Sequence, residues 1–476
     1  MNESLSLGML TPVEPDMPVS PETIAFLTDL LGPERVSTRQ ADLDAHAQDE
    51  SAHDPHPPDV VAWPRNASEI SAILKHANDK GIPVTPWSGG SSLEGNPIPV
   101  CGGILLALYN MNQIVEMREA DLQVVVQPGI VYDELNKKLA RYGLFFPPAP
   151  GSSDVATIGG MVANNSSGMH AVKYGATKDY VLQLEAVLPN GEIVRLGRPV
   201  IKSSSGYDLC RLFTGSEGTL CVVTEVTLRL RIRMEEVAAV AVFPSMEAAA
   251  QAIYAINRYG PTPAAIEWMD PTIIRIVNQW TQSTLTEAPT LVMEFDGLPA
   301  GIEQELQLAE ETCREAGSIS FEKGFTPQER ERLWHARKQA HEAVKQLNVG
   351  SRAEIGDIVV PISRYTEAVS QAYALAEELG VRIATFGHAG DGNLHVEMIS
   401  SRSDPHEHEL ALAFNRRLVQ WTIGVGGTCT GEHGVGIGKR EFMHSEHGAS
   451  LNVMRGIKRA LDPRGIMNPG KIFPDD

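Results

Sequence analysis

Two short segments near the C-terminal end concentrate the residue types that do chemistry: Gly387-His388-Ala389-Gly390-Asp391-Gly392-Asn393-Leu394-His395 and Gly431-Glu432-His433-Gly434. Three imidazoles stand among these glycines with a carboxylate. Imidazole plus one carboxylate is a usual donor set for a catalytic divalent metal with an open coordination position, which leaves one histidine over as a proton acceptor. A second glycine cluster, Ser88-Gly89-Gly90-Ser91-Ser92, lies between a predicted strand and a turn. Such a loop aims converging backbone N–H groups at a phosphate. A phosphate-bearing cofactor and a metal–histidine centre on one chain point to an enzyme.

The elements that must position these residues fall into two patterns. Residues 1–19 are Pro-rich and polar and read as a flexible tail. Ser20 then caps a helix with Pro21 at its first position, and Gly32 closes it. The stretch 45–58, with His46, His53 and His56 among Asp and Pro, reads as a solvated loop, because no ligand spacing accompanies it. From Val60 to about Leu230 strands and helices alternate. Helical spacing covers Ser68–Asn78 and Val131–Tyr142, the latter stopped by Gly143. Strands are expected at Pro83–Pro86, Ile104–Leu108, Val124–Val126 and Val222–Leu230, and a hairpin at Leu182–Leu196 turns on Asn190-Gly191. From Val237 strands at Val237–Phe243, Ala264–Trp268, Leu291–Phe295, Ile358–Pro361, Ile383–Phe386 and Leu394–Met398 are separated by longer helices, including Met246–Tyr259, Gln304–Ala316 and Gln328–Leu347. Helices segregated on an antiparallel sheet fit that order better than a doubly wound sheet. The fold class is therefore α+β, with a first domain at 20–235, a second at 236–424 carrying the histidine loop, and a C-terminal segment at 425–476 that returns to complete the site.

At 476 residues the chain exceeds one ordinary core, which agrees with this division. A formal net charge of −20 sets aside nucleic acid and anionic membrane as main partners. The first basic residue is Arg35, so the N-terminus has neither a basic leader region nor Arg-rich transit character. No apolar run reaches about 18 residues, the length a spanning helix needs. A cytoplasmic protein is expected, with peripheral attachment to an inner membrane left open. Cys101, Cys210, Cys221, Cys313 and Cys429 are scattered without metal-type pairing and read as reduced thiols, mostly small buried hydrophobes.

The loop Pro86-Trp87-Ser88-Gly89-Gly90-Ser91-Ser92 does not match G-x-G-x-x-G opening a helix, so a Rossmann reading is poor. Alone it also fits a tight surface turn. Two further segments strengthen it. Pro147-Pro148-Ala149-Pro150-Gly151-Ser152-Ser153 precedes Thr157-Ile158-Gly159-Gly160-Met161-Val162-Ala163-Asn164-Asn165-Ser166-Ser167-Gly168, and Gly215-Ser216-Glu217-Gly218-Thr219-Leu220 leads into the apolar Val222-Val223. Paired glycines admit a planar ring, Asn164 and Ser167 supply polar contacts, and Val222 and Val223 can flank an adenine. In this order the three segments resemble the FAD-binding domain of the vanillyl-alcohol-oxidase-like (PCMH-type) flavoproteins. The His/Glu segments resemble the FAD-linked oxidase C-terminal domain of D-lactate, D-2-hydroxyglutarate and glycolate dehydrogenases. Val360-Pro361-Ile362-Ser363-Arg364, Gly426–Gly434 and Leu461–Lys471 look most like the cytochrome-linked D-lactate dehydrogenase branch. The resemblance covers nearly everything from Val60 onward.

It implies noncovalent FAD held by Pro86, Ser88, Gly89, Gly90, Ser91, Ser92, Pro150, Gly151, Ser152, Thr157, Gly159, Gly160, Ala163, Asn164, Ser167, Gly168, Glu217, Gly218, Val222 and Val223. His170 is then a wall residue rather than a flavin attachment point. It also places a divalent metal on His388, His395 and Glu432, Zn²⁺ before Mn²⁺ or Fe²⁺, and sets His433 at the substrate. Oxidation of a 2-hydroxy acid needs a proton acceptor for the hydroxyl, and histidine ordinarily titrates near neutral pH. Arg337 matches the family's helix arginine for the substrate carboxylate, which its fork fits; His341, one turn on, is a weaker candidate.

Two departures bear on substrate. A lysine common in the 2-hydroxyglutarate branch, two residues before the position of Asp357, is here Ile355, and Glu397 replaces a neutral Asn. Both favour a monocarboxylate such as D-lactate, unless Arg352 or Lys439 meets a second carboxylate from another direction. The expected enzyme is an FAD- and metal-dependent D-2-hydroxy acid dehydrogenase passing electrons to a quinone, a c-type cytochrome or an electron-transfer flavoprotein, with a homodimer left open. Rivals are a 2-hydroxyglutarate or glycolate dehydrogenase, a non-catalytic subunit of a flavoprotein complex, and a flavoprotein without net redox turnover.

Overall fold

The computed structural model describes residues 18–347, 351–401 and 404–475. The chain divides into two compact units. The first holds the described residues up to Ser166, Ala176–Ile232 and the return segment from Glu432; the second holds Ser167–Gly175 and Arg233–Gly431. Two junctions differ from the sequence expectation for physical reasons. In the short excursion, His170 Nε2 meets Glu294 Oε1 at 3.0 Å, Lys173 Nζ donates to Asp296 O at 2.8 Å, and the Tyr174 hydroxyl bonds Asp296. The chain after 425 stays in the second unit because Thr428 pairs with Val359 and Gly431 N donates to Asp357 Oδ2 at 2.8 Å.

Among the described residues the first unit carries a four-stranded sheet, Val36–Ser37, Val60–Ala62, Ile104–Ala107 and Val84–Trp87, and a five-stranded antiparallel sheet. The latter orders Ile114–Arg118, Gln123–Val126, Val222–Arg229, Val181–Val187 and Ile193–Gly197. Helix Ala67–Lys80 starts at Asn66, whose side chain accepts from Glu69 N, and ends at left-handed Gly81. It buries Ile70, Ile73 and Leu74 completely against Val60, Val84 and Ile104, and each such side chain contributes about 1.5–3 kcal/mol. The return segment joins this core as Val84 pairs in parallel with Met467, Val84 N donating to Ile466 O at 2.8 Å.

The second unit is built on a seven-stranded sheet, antiparallel throughout among the described residues. Its order is Ser320–Gly324, Glu235–Val242, Thr290–Gly297, Ala265–Met269, Arg382–His388, Asn393–Ser401 and Ser351–Val359. The helix expected over 328–347 is two, Pro327–Lys338 and Ala340–Leu347. They part at Gln339 because the first lies on the sheet and the second packs on helix Pro271–Thr281. Ile273, Val277, Trp334, Val344 and Phe386 form one apolar cluster beneath them.

Residues 1–17 of the expected tail lie outside the described residues, whereas Val19 is buried in the first unit's core. The 45–58 stretch is not a simple solvated loop. His46, Asp49 and Ser51 are buried, and the His46 ring stands edge-on to Trp87 at 5.3 Å. Burial pushes the thiols of Cys210, Cys221 and Cys313 up to about 11, 12 and 12. No helix among the described residues is long and apolar enough to cross a membrane.

Candidate active site

In the second unit, strands Arg382–His388 and Asn393–Ser401 form a hairpin whose glycine loop returns His395 toward His388. Gly392 must lack a side chain there, since a Cβ would stand 2.2 Å from Val360 O, and its φ is +87°. The two rings are buried and nearly perpendicular, with Nε2 atoms 3.4 Å apart. Two imidazole nitrogens bound at 2.0–2.1 Å to one tetrahedral ion stand about 3.4 Å apart. The pair therefore fits a shared divalent metal.

Two buried carboxylates stand behind these rings. Glu267, wholly buried on strand Ala265–Met269, lies directly across from His388. Its Oε1 meets His388 Nδ1 at 2.7 Å, and its Oε2 accepts from Arg337 Nε at 2.7 Å. Arg337 itself is buried and lies over the Phe386 ring, 4.8 Å from its centroid. Asp357 accepts from Asn393 Nδ2, Thr430 Oγ1 and Gly431 N, each at 2.8 Å, and lies 3.6 Å from His395 Nδ1. It thus fixes the peptide immediately before Glu432. Tyr365 is buried with its hydroxyl lacking a hydrogen-bond partner among the described residues; burial, then Glu267 and Asp391, raise its phenol far above the usual range.

Glu397 is also fully buried, and its Oε1 meets His341 Nδ1 at 2.6 Å. Burial disfavours a charged His341, but the charge of Glu397 and its hydrogen bond outweigh this and hold the imidazole above its ordinary value. Glu397 is therefore half of an ion pair rather than an isolated negative charge. Arg352 keeps its backbone on strand Ser351–Val359, but its side chain lies outside the described residues.

In the first unit the three glycine segments converge, except that Ser167 and Gly168 belong to the second. The hydroxyls of Ser88 and Thr157 contact one another, Gly215 N donates to Val162 O at 2.8 Å, and Glu217 N donates to Ala163 O at 2.9 Å. A Cβ on Gly89 would stand 2.6 Å from Val155 O, and one on Gly90 2.6 Å from the Trp87 ring. Bare backbone is thus required where these loops meet, as phosphate recognition by N–H groups needs. Such bare backbone suits a phosphate-bearing cofactor.

Some expected cofactor residues have other tasks. The Glu217 carboxylate accepts from Val435 N, Gly436 N and Asn96 Nδ2, so it anchors the return segment. Burial pushes this carboxyl up, against those hydrogen bonds. Asn164 Nδ2 donates to His433 O at 3.1 Å, placing the expected base by its backbone. His433 Nδ1 lies 3.9 Å from Glu94 Oε1, and Glu94 pairs with Lys439 at 2.8 Å. Lys439 is therefore engaged within the first unit. Asp49 accepts from Gly95 N at 2.9 Å and Ser92 Oγ at 3.1 Å, fixing the Ser91–Gly95 turn. Sequence reasoning passed over Glu267, Asp49, Glu94 and Tyr365; a lone acid within an apolar strand, as in Ala265-Ile266-Glu267-Trp268-Met269, was the available signal.

Comparison with known proteins identifies the family and the fold. Residues 58–197 match the FAD binding domain model, and residues 233–472 match that of FAD linked oxidases, C-terminal domain. A protein of Danio rerio named probable D-lactate dehydrogenase, mitochondrial, is 37 % identical over 455 residues, covering 94 % of this chain and 91 % of its own. The glycolate oxidase subunit GlcD of Bacillus subtilis is 35 % identical over 454 residues, covering 94 % and 96 %. The solved p-cresol methylhydroxylase superposes with a TM-score of 0.79 at 16 % identity, covering 95 % of this chain and 96 % of that one, so the fold is of the PCMH type. The chain belongs to the FAD-linked oxidases and is an FAD-dependent oxidoreductase.

Proposed function

We propose that this enzyme oxidises a D-2-hydroxy acid, D-lactate first, to the 2-oxo acid, using noncovalent FAD and a divalent metal, Zn²⁺ before Mn²⁺ or Fe²⁺. The observation that carries this is the His388–His395 pair, Nε2 atoms 3.4 Å apart, with Glu267 linking His388 to Arg337. Glu432, the residue after the Asp357-pinned Gly431, is the third ligand in this reading. When bound, FAD supplies a hydride acceptor and the metal supplies Lewis-acid polarisation of the substrate hydroxyl.

His433 accepts the hydroxyl proton. Arg337 orients the substrate carboxylate with the guanidinium edge that does not face Glu267. The segments at 86–92, 150–168 and 217–223 hold the flavin. Electrons then leave to a quinone, a c-type cytochrome or an electron-transfer flavoprotein. The name of the Danio rerio relative supports D-lactate; that of the Bacillus subtilis subunit supports glycolate as a second reading. Dye reduction by the purified protein across D- and L-2-hydroxy acids, with and without chelator, tests the proposal. Activity confined to D-lactate and its short homologues and lost on chelation supports it. Preference for glycolate selects the second reading, and indifference to chelation removes the metal from either.

A further inference from the structure

We propose that Glu267 is a positioning residue that couples metal binding to substrate binding by holding His388 and Arg337 through the two oxygens of one carboxylate; this rests on the function proposed above. A buried carboxylate is costly unless its oxygens are paired, and both oxygens of Glu267 are taken. Oε1 lies 2.7 Å from His388 Nδ1, and Oε2 lies 2.7 Å from both Nε and Nη2 of Arg337. Neutralising a buried arginine would not require Glu267 to face His388, yet the two are direct cross-strand partners.

Each contact has a separate consequence. Accepting the Nδ1 proton of His388 fixes the tautomer and ring orientation that aim Nε2 at His395, and it makes Nε2 a better donor to a cation. Accepting from Arg337 sets the plane of the guanidinium that would meet a substrate carboxylate. Arg337 is held further by the Phe386 ring, and Phe386 lies beside His395, ring centroids 5.4 Å apart. A shift of Arg337 must therefore move Glu267 and, through it, His388.

The test uses the full chain loaded with FAD and reads Zn²⁺ affinity by competition with a chromophoric chelator, without substrate. Glu267→Gln should bind Zn²⁺ about 10–100-fold more weakly, with FAD content unchanged, and should raise KM for D-lactate more than it lowers kcat. Arg337→Lys, which does not touch the ion, should also weaken Zn²⁺ binding severalfold. It should add nothing in the Glu267→Gln background, because both act through one carboxylate. Wild-type Zn²⁺ affinity in Glu267→Gln, or additive effects of the two substitutions, would overturn the coupling. Should Glu267→Gln not fold, Glu267→Asp decides: one methylene short, it can serve only one partner. Arg337→Lys should then leave Zn²⁺ affinity unchanged in the Glu267→Asp background, and a wild-type response there would overturn the proposal. Unchanged Zn²⁺ affinity in His388→Ala would instead remove the metal site on which the coupling rests.

Discussion

Ile355 stands directly opposite Glu397 in the antiparallel pairing of strands Ser351–Val359 and Asn393–Ser401. Ile355 packs against the second unit's apolar cluster, and Glu397 is already engaged by His341. Among the described residues the cation at this corner, His341, is already taken by Glu397, and burying a second substrate carboxylate unpaired is costly. D-lactate should therefore exceed D-2-hydroxyglutarate in kcat/KM by more than about tenfold, or about 1.4 kcal/mol. Ile355→Lys should narrow that ratio. Measuring both acids with one dye acceptor checks this, and a faster dicarboxylate would refute the assignment of this corner.

Removal of the metal should abolish turnover, and added Zn²⁺ should restore it. His388→Ala should lose both metal and activity while keeping its flavin. An active, metal-replete His388→Ala enzyme would rule out the site as assigned.

His433→Ala should lower kcat about 10²–10⁴-fold if this imidazole accepts the hydroxyl proton. FAD content and Zn²⁺ affinity should stay near wild type. Near-normal turnover would assign the proton to another group.

Burial lowers the Lys471 ammonium from its ordinary 10.5 to about 8, although its Nζ donates to Ile98 O at 2.5 Å. Between those values the unfolded chain binds the extra proton, so this residue makes stability rise with pH across that window. The wild type should gain on Lys471→Met by about 1.4 kcal/mol per pH unit as pH increases from about 8 toward 10. Denaturant unfolding at several pH values measures the difference, and a flat difference would refute it.

Much of the fold was readable because it follows local rules. Helix Met246–Tyr259 has the expected bounds, and strands Val181–Val187 and Ile193–Gly197 pair around Asn190-Gly191 as expected. The paired histidines were readable because the glycines around them have no other evident use. Glu267 was not: its partners lie 70 and 121 residues away, and periodicity says nothing about such distances. The burial of Asp49 was equally hidden, since a stretch rich in His, Asp and Pro looks solvated until Gly95 N and Ser92 Oγ are seen to bond it. The break at Gln339 was missed because both helices satisfy the same helical pattern, and only their different packing partners separate them.

The most direct measurement is anaerobic single turnover of the purified protein, following the flavin absorbance after mixing with D-lactate. The expected result is a yellow protein whose FAD is released by acid. Its flavin should bleach rapidly with D-lactate and not with L-lactate, and bleaching should be lost after chelation and recovered with Zn²⁺. A colourless protein that stays inactive after incubation with FAD, or bleaching indifferent to metal removal, would contradict the reading of His388, His395 and Glu432 as the metal centre of a flavin-dependent 2-hydroxy acid dehydrogenase.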